Sequence, residues 1–272
     1  MNPALSRLSL NVATTQHWTL KEAVEGCARA GVPYLGLWRE KVAEHGLKAS
    51  ATLVREAGLK VSSLCRGGFF PAPTEAERRR RLDDNRRAVE EAAVLGTDVL
   101  VLVCGGISGS TIDEARHMVT DGIAALVPFA AEHGVRLGIE PLHPMFAADR
   151  SVIVSLEQAN DLAELLGTER VGVVIDAYHL WWDPAVYREI GRAAAYTLGF
   201  HVSDWLAPPP DVLLGRGMMG DGVIELRRLR SAVDETGYDG PVEVEIFNRA
   251  LWEMPGDEVL ALIKERFLAH VV

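Results

Sequence analysis

The stretch VGVVID, residues 171–176, decides how this chain folds. Five apolar or small residues run without interruption into a single carboxylate, Asp176. A continuous apolar run of that length fits a strand buried on both faces, as in parallel sheets. Three further runs have the same form: RLGIE ends at Glu140, TLGFH at His201 and VEVE at Glu245. The spacings between the terminal residues are 36, 25 and 44, too long for a finger or hairpin site. They suit a fold that repeats strand, loop and helix and gathers its strand ends at one face.

Outward from these runs, the strand–helix alternation continues to both ends of the 272-residue chain. Strands are expected at 8–12, 34–37, 61–64, 99–103, 135–140, 171–176, 197–203 and 242–246. Helices are expected between them, the first capped by Thr19 with Glu22 completing a capping box. Other caps fall at Thr74, Gly58 and Gly96. Pro128 is expected to kink the helix over 113–133. Eight alternations predict an α/β fold, a single (β/α)8 TIM barrel with parallel strands, and one domain over residues 1–272. An open doubly wound sheet is the runner-up, but no G-x-G-x-x-G follows a strand.

Parity supports ligands that point inward. Strand residues two apart share a face. Gly172 and Val174 share with Asp176, Gly199 with His201, and Gly138 with Glu140. The opposite faces carry Val171, Val173 and Ile175, then Leu198 and Phe200, then Leu137 and Ile139. Glu243 shares a face with Glu245 and is placed lower in the barrel, near Arg136.

Composition narrows the function. Hydrophobic residues make up 48% of the chain, and 38 acidic against 28 basic residues leave a net charge of −10. An acidic chain repels phosphate backbones, so no nucleic-acid partner is expected. The run Arg78–Arg81 lies among Glu75, Glu77, Asp83 and Asp84 and reads as a solvated helix face. No signal peptide and no membrane span are visible, so a cytoplasmic location is expected. Cys27, Cys65 and Cys104 read as reduced, buried thiols.

Active sites of such barrels lie at the C-terminal strand ends, where strands five to eight all end in a potential ligand. Three carboxylates and one imidazole form a hard, oxygen-rich set. It favours one divalent ion, with Mn²⁺ first and Mg²⁺, Co²⁺ or Zn²⁺ as alternatives.

The segments EPLHP (140–144), VVIDAYHLWWDP (173–184), FHVSDW (200–205), RGMMGDG (216–222) and VEVEIF (242–247) resemble the xylose isomerase-like barrel family. That family includes ketose 3-epimerases, inosose isomerases, dehydratases and endonuclease IV-type enzymes. The resemblance implies Glu140, Asp176, His201 and Glu245 as metal ligands, with Glu140 and Glu245 also serving as acid/base catalysts. It further implies His179 and Arg216 as substrate contacts. Where the epimerases carry a glutamate, this chain has Phe146, which leaves His143 as the polar contact there.

Arg66 is read as reaching over the barrel mouth, and Trp38 as stacking on a sugar ring or serving as lid or core. Asp204 is read as a partner of the ligand His201 or as a surface turn. Trp181, Trp182 and Trp252 are read as a subunit contact in a homo-oligomer or as packing beneath the loops.

The expected activity is isomerisation or epimerisation of a ketose, keto-inositol or related keto-sugar through an enediolate. A dehydratase or lyase using the same site is the alternative, and endonuclease IV-type repair is less favoured. No phosphate-cradling loop is evident, which favours a non-phosphorylated substrate.

Overall fold

The computed structural model describes residues 3–272. Eight parallel strands close into a barrel in sequence order. They are β1 (Leu8–Asn11), β2 (Tyr34–Trp38), β3 (Lys60–Gly68), β4 (Val99–Val103), β5 (Arg136–Ile139), β6 (Val171–Asp176), β7 (Thr197–Val202) and β8 (Val242–Val244). Pairing of β1 with β8 completes the ring. Sequence-order closure follows from right-handed crossovers, each carried by a helix on the outer face.

The helices start and stop where the chain provides caps. Thr19 accepts from the Glu22 N–H while the Glu22 carboxylate accepts from the Thr19 N–H, and Thr111 and Glu114 repeat this box. Pro128 lies inside the helix Ile112–Glu132. Three short helices escape the sequence pattern: Arg39–His45, Ala177–Leu180 and Arg249–Trp252. The first two follow strand ends directly and the third follows β8 after residues 245–248, and four to seven residues show too little periodicity to read. Among the described residues, no helix is long and apolar enough to cross a membrane.

The main core lies between the strands and the outer helices. A second, smaller cluster fills the barrel itself: Cys65, Val99, Val101, Val174 and Leu198, with Trp38 above. Gly138 is small because of this filling, since a Cβ there would meet Val174 at 2.8 Å. Leu198 corrects the parity reading. The register between β6 and β7 shifts at Val173/Val174, and the extra residue turns Leu198 inward. Gly199 and His201 keep the inward face that parity assigned to them, with the Gly199 position 3.7 Å from the His201 imidazole.

The arginine run divides. Arg79 and Arg80 pair with Glu75 and Glu77 on the exposed helix face. Arg81 instead turns back and donates to the Phe69 carbonyl at 2.8 Å, tying down the segment after β3. The three cysteines are free and buried.

Candidate metal centre and cleft

Glu140, Asp176, His201 and Glu245 converge at the C-terminal mouth of the barrel. Each offers one ligand atom, and these atoms all lie within 4.8 Å of one another. Bonds of roughly 2.1 Å span about 4.2 Å across a small dication, so modest side-chain adjustment completes such a shell. All four residues are buried.

Local structure aims each group. Asp176 ends β6 and caps Ala177–Leu180, with its Oδ1 accepting from the Tyr178 N–H at 2.8 Å. That leaves Oδ2 facing the centre, where Arg216 Nη1 lies 3.2 Å away. Glu245 follows β8. Its Oε1 accepts from Asn11 Nδ2 at 3.0 Å and its Oε2 from Arg216 Nη1 at 3.1 Å.

Glu140 Oε1 and His201 Nδ1 are 3.1 Å apart. Neither makes a hydrogen bond with acceptable geometry, although both are buried. Two buried polar atoms so close, yet not directed at each other, share a focus beside them. A metal ion satisfies both at once, and the donor set fits a divalent cation.

The electrostatics point the same way. Burial pushes the Glu245 carboxyl up to about 8, helped by Glu140 and Asp176 and opposed by Arg216 and His201. Burial alone would hold the His201 imidazole down, but Glu243, Glu140 and Glu245 together raise it to about 10. A carboxyl and an imidazole that are both pushed toward their protonated forms mark a site where a dication relieves the same repulsion.

Beneath the centre lies a buried polar floor. Glu243 Oε1 accepts from Asn11 Nδ2 at 2.7 Å, and Oε2 accepts from Ser62 Oγ at 2.6 Å and Ser63 Oγ at 3.1 Å. Asn11 also accepts from Trp38 Nε1 at 2.9 Å. The expected pairing of Glu243 with Arg136 does not occur. Arg136 binds Asp98 at the opposite end of the barrel, at 2.6 and 2.9 Å. Asn11 was missed in the sequence, although its alternation with Ser9 marks an inward polar face.

A cleft of about 220 Å³ opens above the centre. Glu140 and Glu245 line it, whereas Asp176 and His201 lie deeper. Trp38, Arg66, His179 and Arg216 also line it. His179 Nδ1 accepts from the His143 backbone N–H at 3.1 Å. Burial pushes this imidazole down to about 3, against the pull of Asp176, so it is neutral and its proton sits on Nε2. Arg216 Nη2 lies 3.2 Å from that Nε2. Both groups are donors, and both flank Asp176 Oδ2, which lies 3.7 Å from His179 Nε2 and 3.2 Å from Arg216 Nη1. Tyr178 and Phe247 hold the Arg216 guanidinium at 4.5 and 4.8 Å from their ring centres.

His143 does not line the cleft. Its ring stacks on Trp205 at 5.1 Å, and only its backbone serves the site by orienting His179. Asp204 does not reach His201. Its carboxylate accepts from the N–H groups of Trp205, Gly220 and Ile224, and so fixes the loop that carries Arg216. Trp252 lines the cleft and donates to the Ala13 carbonyl, and Trp181 packs against Trp205. Trp182 is the member of the three with an exposed face. Arg150 and Phe247 also line the cleft without having been singled out in the sequence. They lie on loops, where no periodicity marks them.

The model of the xylose isomerase-like TIM barrel family matches residues 24–266. Inosose isomerase of Bacillus velezensis is 24% identical over 270 residues, 95% of each chain. The crystal structure of protein SMc04130 from Sinorhizobium meliloti 1021 is 49% identical with a TM-score of 0.96, covering 98% of this chain and 99% of that one. The structure of an IolI protein with a binding zinc atom shares the fold at 22% identity and a TM-score of 0.86, covering 97% and 98% of the two chains. The chain described here belongs to the xylose isomerase-like TIM barrel family.

Proposed function

We propose that this protein is a divalent-metal-dependent isomerase or epimerase that moves a proton next to the carbonyl of a keto-sugar or keto-cyclitol. One observation carries the reading. Of the four converging ligands, only Glu140 and Glu245 reach both the common focus and the cleft. They directly follow β5 and β8, well separated around the ring, and so approach a bound molecule from different sides. The inosose isomerase relative supports the substrate class, and the zinc-bearing IolI neighbour supports a divalent ion.

Glu140, Asp176, His201 and Glu245 hold the ion, and the oxygen-rich set favours Mn²⁺. A divalent ion there supplies Lewis acidity, lowering the cost of charge on the carbonyl and hydroxyl oxygens of an α-hydroxyketone. One of Glu140 and Glu245 takes the carbon-bound proton, and the other returns a proton to the opposite face or the neighbouring carbon. The Nε2–H of His179 and the Nη2–H of Arg216 donate to one oxygen as negative charge grows on it. Trp38, Phe247 and Trp252 close the rim and exclude water from the intermediate.

The test is solvent deuterium exchange into a panel of ketoses and inososes by the Mn²⁺-loaded protein. Exchange at the carbon next to the carbonyl is expected. Its loss by about 10²–10⁴-fold is expected in Glu140→Gln and Glu245→Gln with the fold intact. Wild-type exchange rates in either variant would remove the proton-transfer assignment.

A further inference from the structure

Two guanidinium groups in the cleft have no task in the proton transfer just described. Arg66, at the bulge within β3, lies 4.1 Å over the Phe69 ring. Arg150, in the loop after β5, lies 5.9 Å over Phe146. Phe69 and Phe146 pack into one apolar cluster with Val103 and Leu142. The two arginines therefore stand on one wall.

Neither is held by a close, buried ion pair. Among the described residues no carboxylate comes within 4.0 Å of Arg66. Arg150 has only Asp149, 3.8 Å away, with a side chain that is 67% exposed. Such a surface pair contributes little.

The rest of that wall is hydrocarbon. A neutral polyol needs an acceptor as well as a donor for its hydroxyls, and a buried hydroxyl left unpaired is costly. Above the ligand carboxylates the side chains of this wall offer only donors and apolar surface. Guanidinium groups with at most a weak, exposed partner are suited to a planar or tetrahedral anion, which each can hold bidentately. The chain carries a net charge of −10, so an anion is disfavoured at long range and needs a local cationic site to bind.

We propose that the substrate is an anion, an α-hydroxyketone bearing a carboxylate or phosphate that Arg66 and Arg150 hold on the wall away from His201. This names the substrate class of the site and rests on the metal-dependent reading above. The hydroxyketone end faces Glu140 and Glu245, and the apolar rings contact the carbon skeleton between the two ends.

The test is calorimetric. Mn²⁺ is first titrated into the wild-type protein. Three probes then follow on the loaded protein: a neutral inosose, a hydroxyketo-cyclohexane carboxylate of the same ring size, and a ketopentose 5-phosphate. The carboxylate or the phosphate is expected to bind at least about tenfold more tightly than the inosose, and the arm that gains identifies the anion. Arg66→Gln and Arg150→Gln are each expected to cost that anion about 10- to 100-fold, at least tenfold more than the inosose loses. Arg66→Lys is expected to recover part of the loss.

Equal affinity for neutral and anionic probes, or equal losses for all three in both variants, overturns the proposal. Unchanged melting temperatures of the variants guard against misfolding as the cause. Failure of the wild type to take up Mn²⁺ overturns the metal-centre reading, and this proposal falls with it.

Discussion

Gly36→Ala is expected to damage the molecule although it adds one methyl group. A Cβ at Gly36 would lie 1.9 Å from Glu243 Oε1, 2.3 Å from its Cδ and 2.6 Å from Oε2. Ordinary contact starts near 3.4 Å, so the carboxylate must retreat by about 1.5 Å. Its bonds from Asn11, Ser62 and Ser63 span 2.6–3.1 Å. A shift of that size carries most of them beyond hydrogen-bonding reach. Hydrogen bonds to a charged group contribute roughly 1.5–3 kcal/mol each, and a buried charge stripped of partners costs about 3–5 kcal/mol. For a chain of this size that lowers the melting temperature by roughly 5–9 °C.

Function is expected to follow. Asn11 also holds Glu245 Oε1, and loss of a partner behind a metal ligand typically costs about 10- to 100-fold in affinity. Differential scanning calorimetry and Mn²⁺ titration measure the two effects. The double variant Gly36→Ala with Glu243→Ala relieves the clash, so it should be less damaged than the sum of the singles. A Gly36→Ala protein that melts within about 2 °C of wild type and binds Mn²⁺ equally well would refute the role given to the polar floor.

Two further outcomes are expected. Asp204→Ala removes the acceptor for three backbone N–H groups. It should cost about 2–4 kcal/mol in urea denaturation, and a susceptibility to proteolysis near residues 216–224 should accompany the loss. Glu189 gives a pH signature. Burial alone would raise its carboxyl, but hydrogen bonds from Asn160, Arg188 and Arg192 hold it below 4.5. A lowered folded-state value means that its stabilisation is present above about 4.5 and fades as pH falls through the folded value. The stability gap between wild type and Glu189→Gln should therefore narrow on acidification from pH 6 to pH 3. A gap that is flat with pH removes this assignment.

The barrel and the convergence of Glu140, Asp176, His201 and Glu245 are legible because both rest on repetition. Strand runs that recur with caps between them report the fold, and period-two alternation reports which residues point inward. Where the repetition breaks, the reading fails for a physical reason. Leu198 was assigned outward because the shift at Val173/Val174 adds a residue that no alternation rule anticipates. Glu243 was correctly set below Glu245 but given the wrong partner. Its charge is met by the neutral donors Asn11, Ser62 and Ser63 from β1 and β3, which charge matching does not find. Asp204 and His143 sit in loops after strand ends. There the backbone folds back and uses their polar groups for its own N–H donors or lends its own to a neighbour. Arg150 and Phe247 come to the cleft by the same loop geometry and carry no local signal.

The most direct measurement is anomalous diffraction from crystals of the protein equilibrated with Mn²⁺. The account predicts one ion at the barrel mouth, ligated by Glu140, Asp176, His201 and Glu245. Anomalous density elsewhere, or none at these four side chains at millimolar Mn²⁺, contradicts it.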